Sequence, residues 1–350
     1  MTKKITIIWA SDGFGLWLAK FILKNFKEKV ELTITWRNEE KLKKVAKELN
    51  CLFSVDNIAS VKDSDITVFA VPIAFMNEII EKVAPFLKKD SIVLDVCSIK
   101  KWPAKALKKY SPEDVFILPT HPMFGPFIST IAGQIFVLTP LNKNDKNDER
   151  YIFLKNFLEN SWAKVVEETP EEHDKMMAVV QGLTHFNMFV LADTMKNLEF
   201  DIKKSFSFVS PIYKIMISSV GRYVGQNPKL YGDIQMYNSE VLNVHKEFMK
   251  STKKFNEFVE QKDENSFIKN IESSAKYFWE NANLGQKYTD KIIFMIGKQT
   301  EILEKNIWKK ICLENIYSRE KKNWILEKFE DRKIFLDSWE ILEFEQWEVI

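Results

Sequence analysis

Ile5-Thr6-Ile7-Ile8-Trp9-Ala10-Ser11-Asp12-Gly13-Phe14-Gly15 opens the chain with a β-branched run, a turn of small residues and the start of a helical pattern. A strand that halts at small residues and passes into an amphipathic helix, here Phe14–Phe26, is the first step of an α/β sheet. Small residues at such a turn let a pyrophosphate approach the backbone N–H groups at the helix start. Against the G-x-G-x-x-G spacing, position 10 is alanine, position 12 is aspartate and only Gly15 fits. Taken alone, the turn equally suits a strand-to-helix connection that holds no ligand.

The alternation continues outward from this turn. Further strands are predicted at Val30–Trp36, Ile66–Val71, Ile92–Val96, Val115–Leu118, Ile135–Thr139 and Ala163–Glu167. Helical patterns lie between them at Glu39–Leu49, Ile73–Leu87, Pro103–Tyr110 and Tyr151–Glu159. This order predicts a Rossmann-like, doubly wound parallel sheet over residues 1–169. From Pro170 strand-like runs give way to long helical periodicity, which predicts an all-α domain over 170–290. Within it, Met176–Met195 is apolar enough to be buried on most sides, the pattern of subunits that pack as a homodimer. Residues 291–350 are rich in aromatic and β-branched residues around Trp324-Ile325-Leu326 and Lys333–Phe344, with a turn at Glu330-Asp331-Arg332. They predict a small antiparallel β module.

Composition narrows the function. The chain has 350 residues, 45% of them apolar, enough for more than one core. Charged or amide residues interrupt every apolar run before it reaches membrane-spanning length, so no membrane partner is expected. A formal charge of +2 gives no reason to expect nucleic acid. Cys51, Cys97 and Cys312 lack metal or redox spacing, as suits a reducing cytoplasm, and no metal is expected. Basic positions are nearly all lysine; arginine occurs only at 37, 150, 222, 319 and 332. Where such a chain keeps arginine, a planar fork is a reason to look for an anion.

Past the strand at Val115–Leu118 comes His121-Pro122-Met123-Phe124-Gly125-Pro126. Ligands of parallel sheets bind at the carboxyl ends of strands, and a histidine there can move protons near neutral pH. This segment resembles the His-Pro-Met-Phe-Gly-Pro signature of prephenate dehydrogenases. The opening turn is similar to that family's Gly-Gly-Thr-Asp-Gly-Leu-Gly, with Trp9 and Ala10 in place of the glycine pair. Asp95-Val-Cys-Ser98-Ile-Lys100 resembles its Asp-x-x-Ser-x-Lys segment, and Gln181-Gly-Leu-Thr-His185 its second histidine motif. Ser210–Asp233 resembles its carboxylate-binding helix, with Arg222 on the key arginine.

The resemblance covers residues 3 to 290 and implies an NADP-dependent oxidative decarboxylation of prephenate, with NAD as the alternative cofactor. It implies His121 as proton acceptor and Ser98 as its orienter. His185, Gln181, Arg222 and Lys214 would bind substrate; enteric relatives have arginine where Lys214 stands. Ala10, Ser11, Asp12, Gly13, Phe14, Gly15 and Val71 would line the cofactor. Arg37 ends the second strand where an NAD site usually has a carboxylate, and this favours the 2′-phosphate of NADP. Arogenate in place of prephenate, and a non-catalytic NADP-binding regulatory protein, stay open. So does the role of the C-terminal module, which does not resemble the amino-acid-sensing domain of some relatives. His173 and His245 sit among charged residues and read as surface positions.

Overall fold

The computed structural model describes residues 2–26 and 29–350; Met1, Lys27 and Glu28 lie outside them. Strands β1 (Lys3–Ile8), β2 (Val30–Thr35), β3 (Leu52–Ser54), β4 (Ile66–Phe69), β5 (Ile92–Asp95), β6 (Phe116–Pro122), β7 (Ile135–Leu138) and β8 (Lys164–Glu167) form one sheet. Its order is β3-β2-β1-β4-β5-β6-β7-β8, with the first six parallel. The central strands read as apolar runs because both faces are covered. Ile7 lies in register between Ile34 and Val68 and packs into one core with them, while its neighbour Ile8 joins Phe69 and Val93 in the core of the other face. The chain leaves β1 toward β2 on one side and reaches β4 on the other. The crevice for a ligand in such a sheet lies at this switch point.

Two departures from the expected sheet concern its edges. The three-residue β3 is too short for its alternation to stand out. β7 pairs antiparallel with β6, His121 opposite Val137, and β8 then runs parallel to β7. The returning strand supplies a ladder for Thr120–Pro122, so His121 lies inside β6 rather than just beyond a strand ending at Leu118.

Two compact units make up the chain. The first holds the large sheet with the helices Pro170–Met177, Thr184–Asn197 and Pro228–Tyr237. Thr169 caps the first of these through Glu172 N–H, and Pro170 occupies the position where a missing N–H costs nothing. Between Met177 and Thr184 the helix widens into a π-helical segment, Ala178–Leu183, a form that often marks functional positions. The second unit comprises Phe200–Ser219 and Met249–Ile350. It contains the helices Glu264–Phe278 and Glu280–Lys305 and an antiparallel sheet ordered β12-β11-β10-β9-β13. These strands are β9 (Lys310–Asn315), β10 (Lys321–Glu330), β11 (Lys333–Leu336), β12 (Ile341–Glu343) and β13 (Trp347–Val349). Their inward residues, among them Leu313, Leu326, Ile334 and Trp347, form a separate small core with Leu303. Asp331 and Arg332, with φ of 48° and 62°, make the two-residue turn between β10 and β11, as the sequence predicts.

In the single chain Met176, Val179, Val180 and Val190 are exposed, and the helix Thr184–Asn197 buries only His185. An apolar helix spends its hydrophobic surface only where a second surface covers it, and one chain does not supply that cover here.

Candidate active site

The opening turn joins β1 to the helix Gly13–Phe26. Trp9 has φ 74° and Gly13 φ 54°, a left-handed conformation that suits glycine and strains a bulky residue by about 1–3 kcal/mol. The indole recovers packing for that strain: it meets Trp36 edge-on at 4.3 Å and stacks on Phe75 at 5.7 Å. A Cβ on Gly15 would lie 2.3 Å from the Trp9 carbonyl, so only glycine lets the helix Gly13–Phe26 approach β1 this closely. Ala10 is fully buried, with its N–H on the Thr35 carbonyl at 3.0 Å. The buried Ser11 hydroxyl has no hydrogen-bond partner, and the first turn of the helix carries no acidic residue. An orphaned hydroxyl, a helix whose first turn holds no acidic residue and a position closed to any side chain together fit a dinucleotide pyrophosphate.

Around this turn the other expected cofactor residues divide. Asp12 is exposed and ion-paired to Lys41. Val71 is buried past the end of β4, its side chain committed to the core. The Arg37 guanidinium rests over both Trp9 and Trp36, 5.8 and 5.9 Å from the ring centroids, within cation–π range. Phe14 joins Trp17 and Phe124, and Trp17 donates to the Ile128 carbonyl at 2.8 Å. These rings tie the turn to the loop that follows His121.

The catalytic candidate sits in a chain of buried side chains. His121, at 2% exposure, places Nδ1 2.8 Å from Nε2 of His173. His173 Nδ1 lies 2.8 Å from the Asp174 carboxylate, which also accepts the backbone N–H groups of Lys100 at 2.7 Å and Lys101 at 2.9 Å. On the other side of the ring, Gln181 Nε2 faces His121 Nε2 at 3.5 Å. Lys100 is wholly buried and ion-paired to Asp95, a structural role. Ser98 is half-buried and forms no hydrogen bond to His121, whose two nitrogens face His173 and Gln181 instead. Its expected part as the orienter of His121 is therefore corrected.

The expectation for the other two histidines is corrected as well. His173 is 1% exposed, and His245 is half-buried, stacked on Phe186 at 3.9 Å. Charged neighbours made the 171–175 stretch look solvated; its Asp174 in fact caps a helix 73 residues away in sequence. Adjacent His-Asp at the start of an amphipathic helix was the available signal.

Gln181 and His185 are carried on consecutive helical turns. The His185 ring packs against Tyr223 at 4.9 Å and Tyr231 at 4.8 Å, and its buried Nδ1 has no partner. Arg222, beside Tyr223, is exposed and has no carboxylate within ion-pair distance among the described residues. It belongs to the same compact unit as His121. Lys214 belongs to the second unit, where its charged neighbours are Arg332 and Glu345 and burial lowers its pKa.

Burial also lowers the pKa of every histidine: His121 well below 6.5, with His173 and Lys100 adding to the effect, then His173, His245, and His185 to about 4. A histidine depressed on folding stabilises the fold above pH 6.5, and that contribution is lost as pH falls, because the unfolded chain takes up the proton first. The melting temperature is accordingly expected to drop steadily from pH 7 to pH 5. The two deeply buried rings, His121 and His173, can each weaken the fold by up to about 1.4 kcal/mol per pH unit, and the more exposed His185 and His245 by less. A melting temperature flat across that range would show that these rings are not held neutral.

The sequence and the fold both match known proteins. Residues 19–167 match the family model for the prephenate dehydrogenase nucleotide-binding domain, and residues 169–273 that for the prephenate dehydrogenase dimerization domain. A probable arogenate/prephenate dehydrogenase of Methanocaldococcus jannaschii is 41% identical over 333 residues, 95% of this chain and 74% of the relative. The T-protein of Haemophilus influenzae is 30% identical over 207 residues; the match covers 59% of this chain and about half of that protein, 53%. The structure of Aquifex aeolicus prephenate dehydrogenase with hydroxyphenyl propionate and NAD+ shares the fold, with a TM-score of 0.62 at 22% identity over 80% of this chain and 98% of that one. With both of the family's domains matched in order, the chain belongs to the prephenate dehydrogenase family.

Proposed function

We propose that the protein oxidises and decarboxylates prephenate to 4-hydroxyphenylpyruvate with NADP, a step of tyrosine biosynthesis. The observation that carries this reading is the buried His121 ring, with Nδ1 held by His173 and Nε2 facing the Gln181 amide. Nε2 takes the proton of the ring hydroxyl as the carbonyl forms, the work of a general base. Ser98 and Gln181 place that hydroxyl, and Arg222, aided by His185, grips a substrate carboxylate bidentately. Loss of the ring carboxylate then makes the ring aromatic and needs no further group. The bound nicotinamide supplies the hydride acceptor. Ser11, Gly13 and Gly15 would hold its pyrophosphate.

Arg37 supports NADP over NAD, since β2 ends without the carboxylate that would accept from a ribose 2′-hydroxyl. Arg37→Asp is expected to move the NADP/NAD preference toward NAD by about 10–100-fold, the scale of one charge-assisted contact. An unaltered ratio would show that Arg37 does not read the 2′-phosphate. The exposed apolar positions of Glu264–Phe278 and Glu280–Lys305, such as Ile271, Phe278 and Phe294, support a homodimer. Among the described residues no helix is long and apolar enough to cross a membrane. A cytoplasmic location is part of the same proposal.

The deciding experiment mixes the protein with prephenate or arogenate, and with NADP or NAD, and follows reduced nicotinamide. The prephenate–NADP pair is expected to give the highest kcat/KM. A rate confined to arogenate would move the assignment to that substrate, and nucleotide binding without turnover would favour a regulatory protein.

A further inference from the structure

The donors and acceptors around His121 can be phased from one end. Asp174 is buried and lies at the N-terminus of the ten-residue helix Lys101–Tyr110, where two backbone N–H groups point at it. Those groups can only donate, so the carboxylate accepts, and the positive end of the helix favours its charge. His173 Nδ1, 2.8 Å from the same carboxylate, is then the donor. With His173 kept neutral by burial, its Nε2 carries a lone pair, and His121 Nδ1 at 2.8 Å must donate to it. That leaves the lone pair of His121 on Nε2. Gln181 Nε2, 3.5 Å from that atom, can donate to it.

We infer that His173 and Asp174 are positioning residues that lock His121 in its Nδ1–H tautomer and so keep Nε2 as the base. The tautomer of a histidine is set by the hydrogen bond its other nitrogen makes. The second consequence appears during the reaction. When Nε2 takes the hydroxyl proton, the imidazolium still donates from Nδ1 to His173, and His173 from its own Nδ1 to Asp174. The new positive charge is therefore linked to a buried carboxylate through one neutral ring. This is the arrangement by which a buried acid serves a catalytic histidine without accepting its proton. The other charged groups packed around these rings, Lys100 and Asp95, are already paired with each other and leave Asp174 as the counter-charge.

The inference rests on the proposed role of His121 but is tested separately from it. The chain has only four histidines, so ¹⁵N-histidine labelling gives a spectrum simple enough to assign by subtraction in the His121→Asn variant. In the ligand-free wild-type protein near pH 7.5, His121 is expected to show a protonated Nδ1 and an unprotonated Nε2; the opposite tautomer overturns the inference. This readout needs no turnover, so an inactive protein would defeat the functional reading and leave the tautomer result standing. Kinetics give the second arm. His173→Phe removes the acceptor and is expected to lower kcat by roughly 10²–10³-fold with KM and NADP affinity little changed. His173→Gln offers an amide oxygen to the same N–H and should recover about tenfold or more. Equal kcat values for the two variants would mean that His173 serves only packing.

Discussion

His121→Asn is expected to lower turnover by roughly 10²–10⁴-fold, a loss of about 3–5 kcal/mol in transition-state stabilisation. Asparagine is smaller but keeps a donor that can reach Nε2 of His173, so the buried chain ending at Asp174 keeps its hydrogen-bond phase. What it loses is the basic lone pair. An amide oxygen accepts a hydrogen bond yet does not take a proton near neutral pH, so the ring hydroxyl must release its proton to water that the buried site largely excludes. The loss should fall on kcat, while nucleotide affinity and melting temperature, which depend on β1, the Gly13–Phe26 helix and the two cores, move little. Wild-type turnover in this variant would remove His121 from the chemistry.

The parts of this protein that were legible in the sequence are those set by local rules. Gly15 is required by a backbone contact within its own turn, and the turn at Asp331-Arg332 by the residues flanking it. The parallel core strands show as apolar runs because each is buried on both faces. The family motifs around Ser98, His121, His185 and Arg222 are likewise short segments, read one at a time. What the sequence hides is set by contacts between distant segments. The reversal of β7 follows from its pairing with Thr120–Pro122, which no periodicity encodes. His173 and Asp174 look solvated beside Glu171, Glu172 and Lys175, because alternate faces of one helix carry the buried dyad and the exposed charges. The Lys100 and Lys101 N–H groups, supplied by the start of the helix Lys101–Tyr110, explain a carboxylate in that position. Trp9 shows the same effect in reverse. Its local conformation favours glycine, and the residues that make tryptophan tolerable, Trp36 and Phe75, lie on other elements.

Arg222→Ala is expected to raise the KM for prephenate by about 10–100-fold, the scale of a charge-assisted, bidentate hydrogen-bond pair. The guanidinium is exposed, so its removal leaves no buried charge without a partner and little change in stability follows. A surface arginine of no function would give no kinetic change at all, and this makes the variant discriminating. Its effect should separate from that of His121. A group that holds a carboxylate remote from the reacting carbon contributes in the ground state and in the transition state alike, so KM rises while kcat falls only as far as alignment suffers. His185, seated between Tyr223 and Tyr231 next to this arginine's helix, should follow Arg222 in this respect. Arg222→Lys keeps the charge and loses the planar fork; it should recover only part of the affinity, because an ammonium cannot hold both carboxylate oxygens in one plane. Substrate saturation unchanged in both variants would rule out the clamp and send the search for the carboxylate's partner to other cations of the chain.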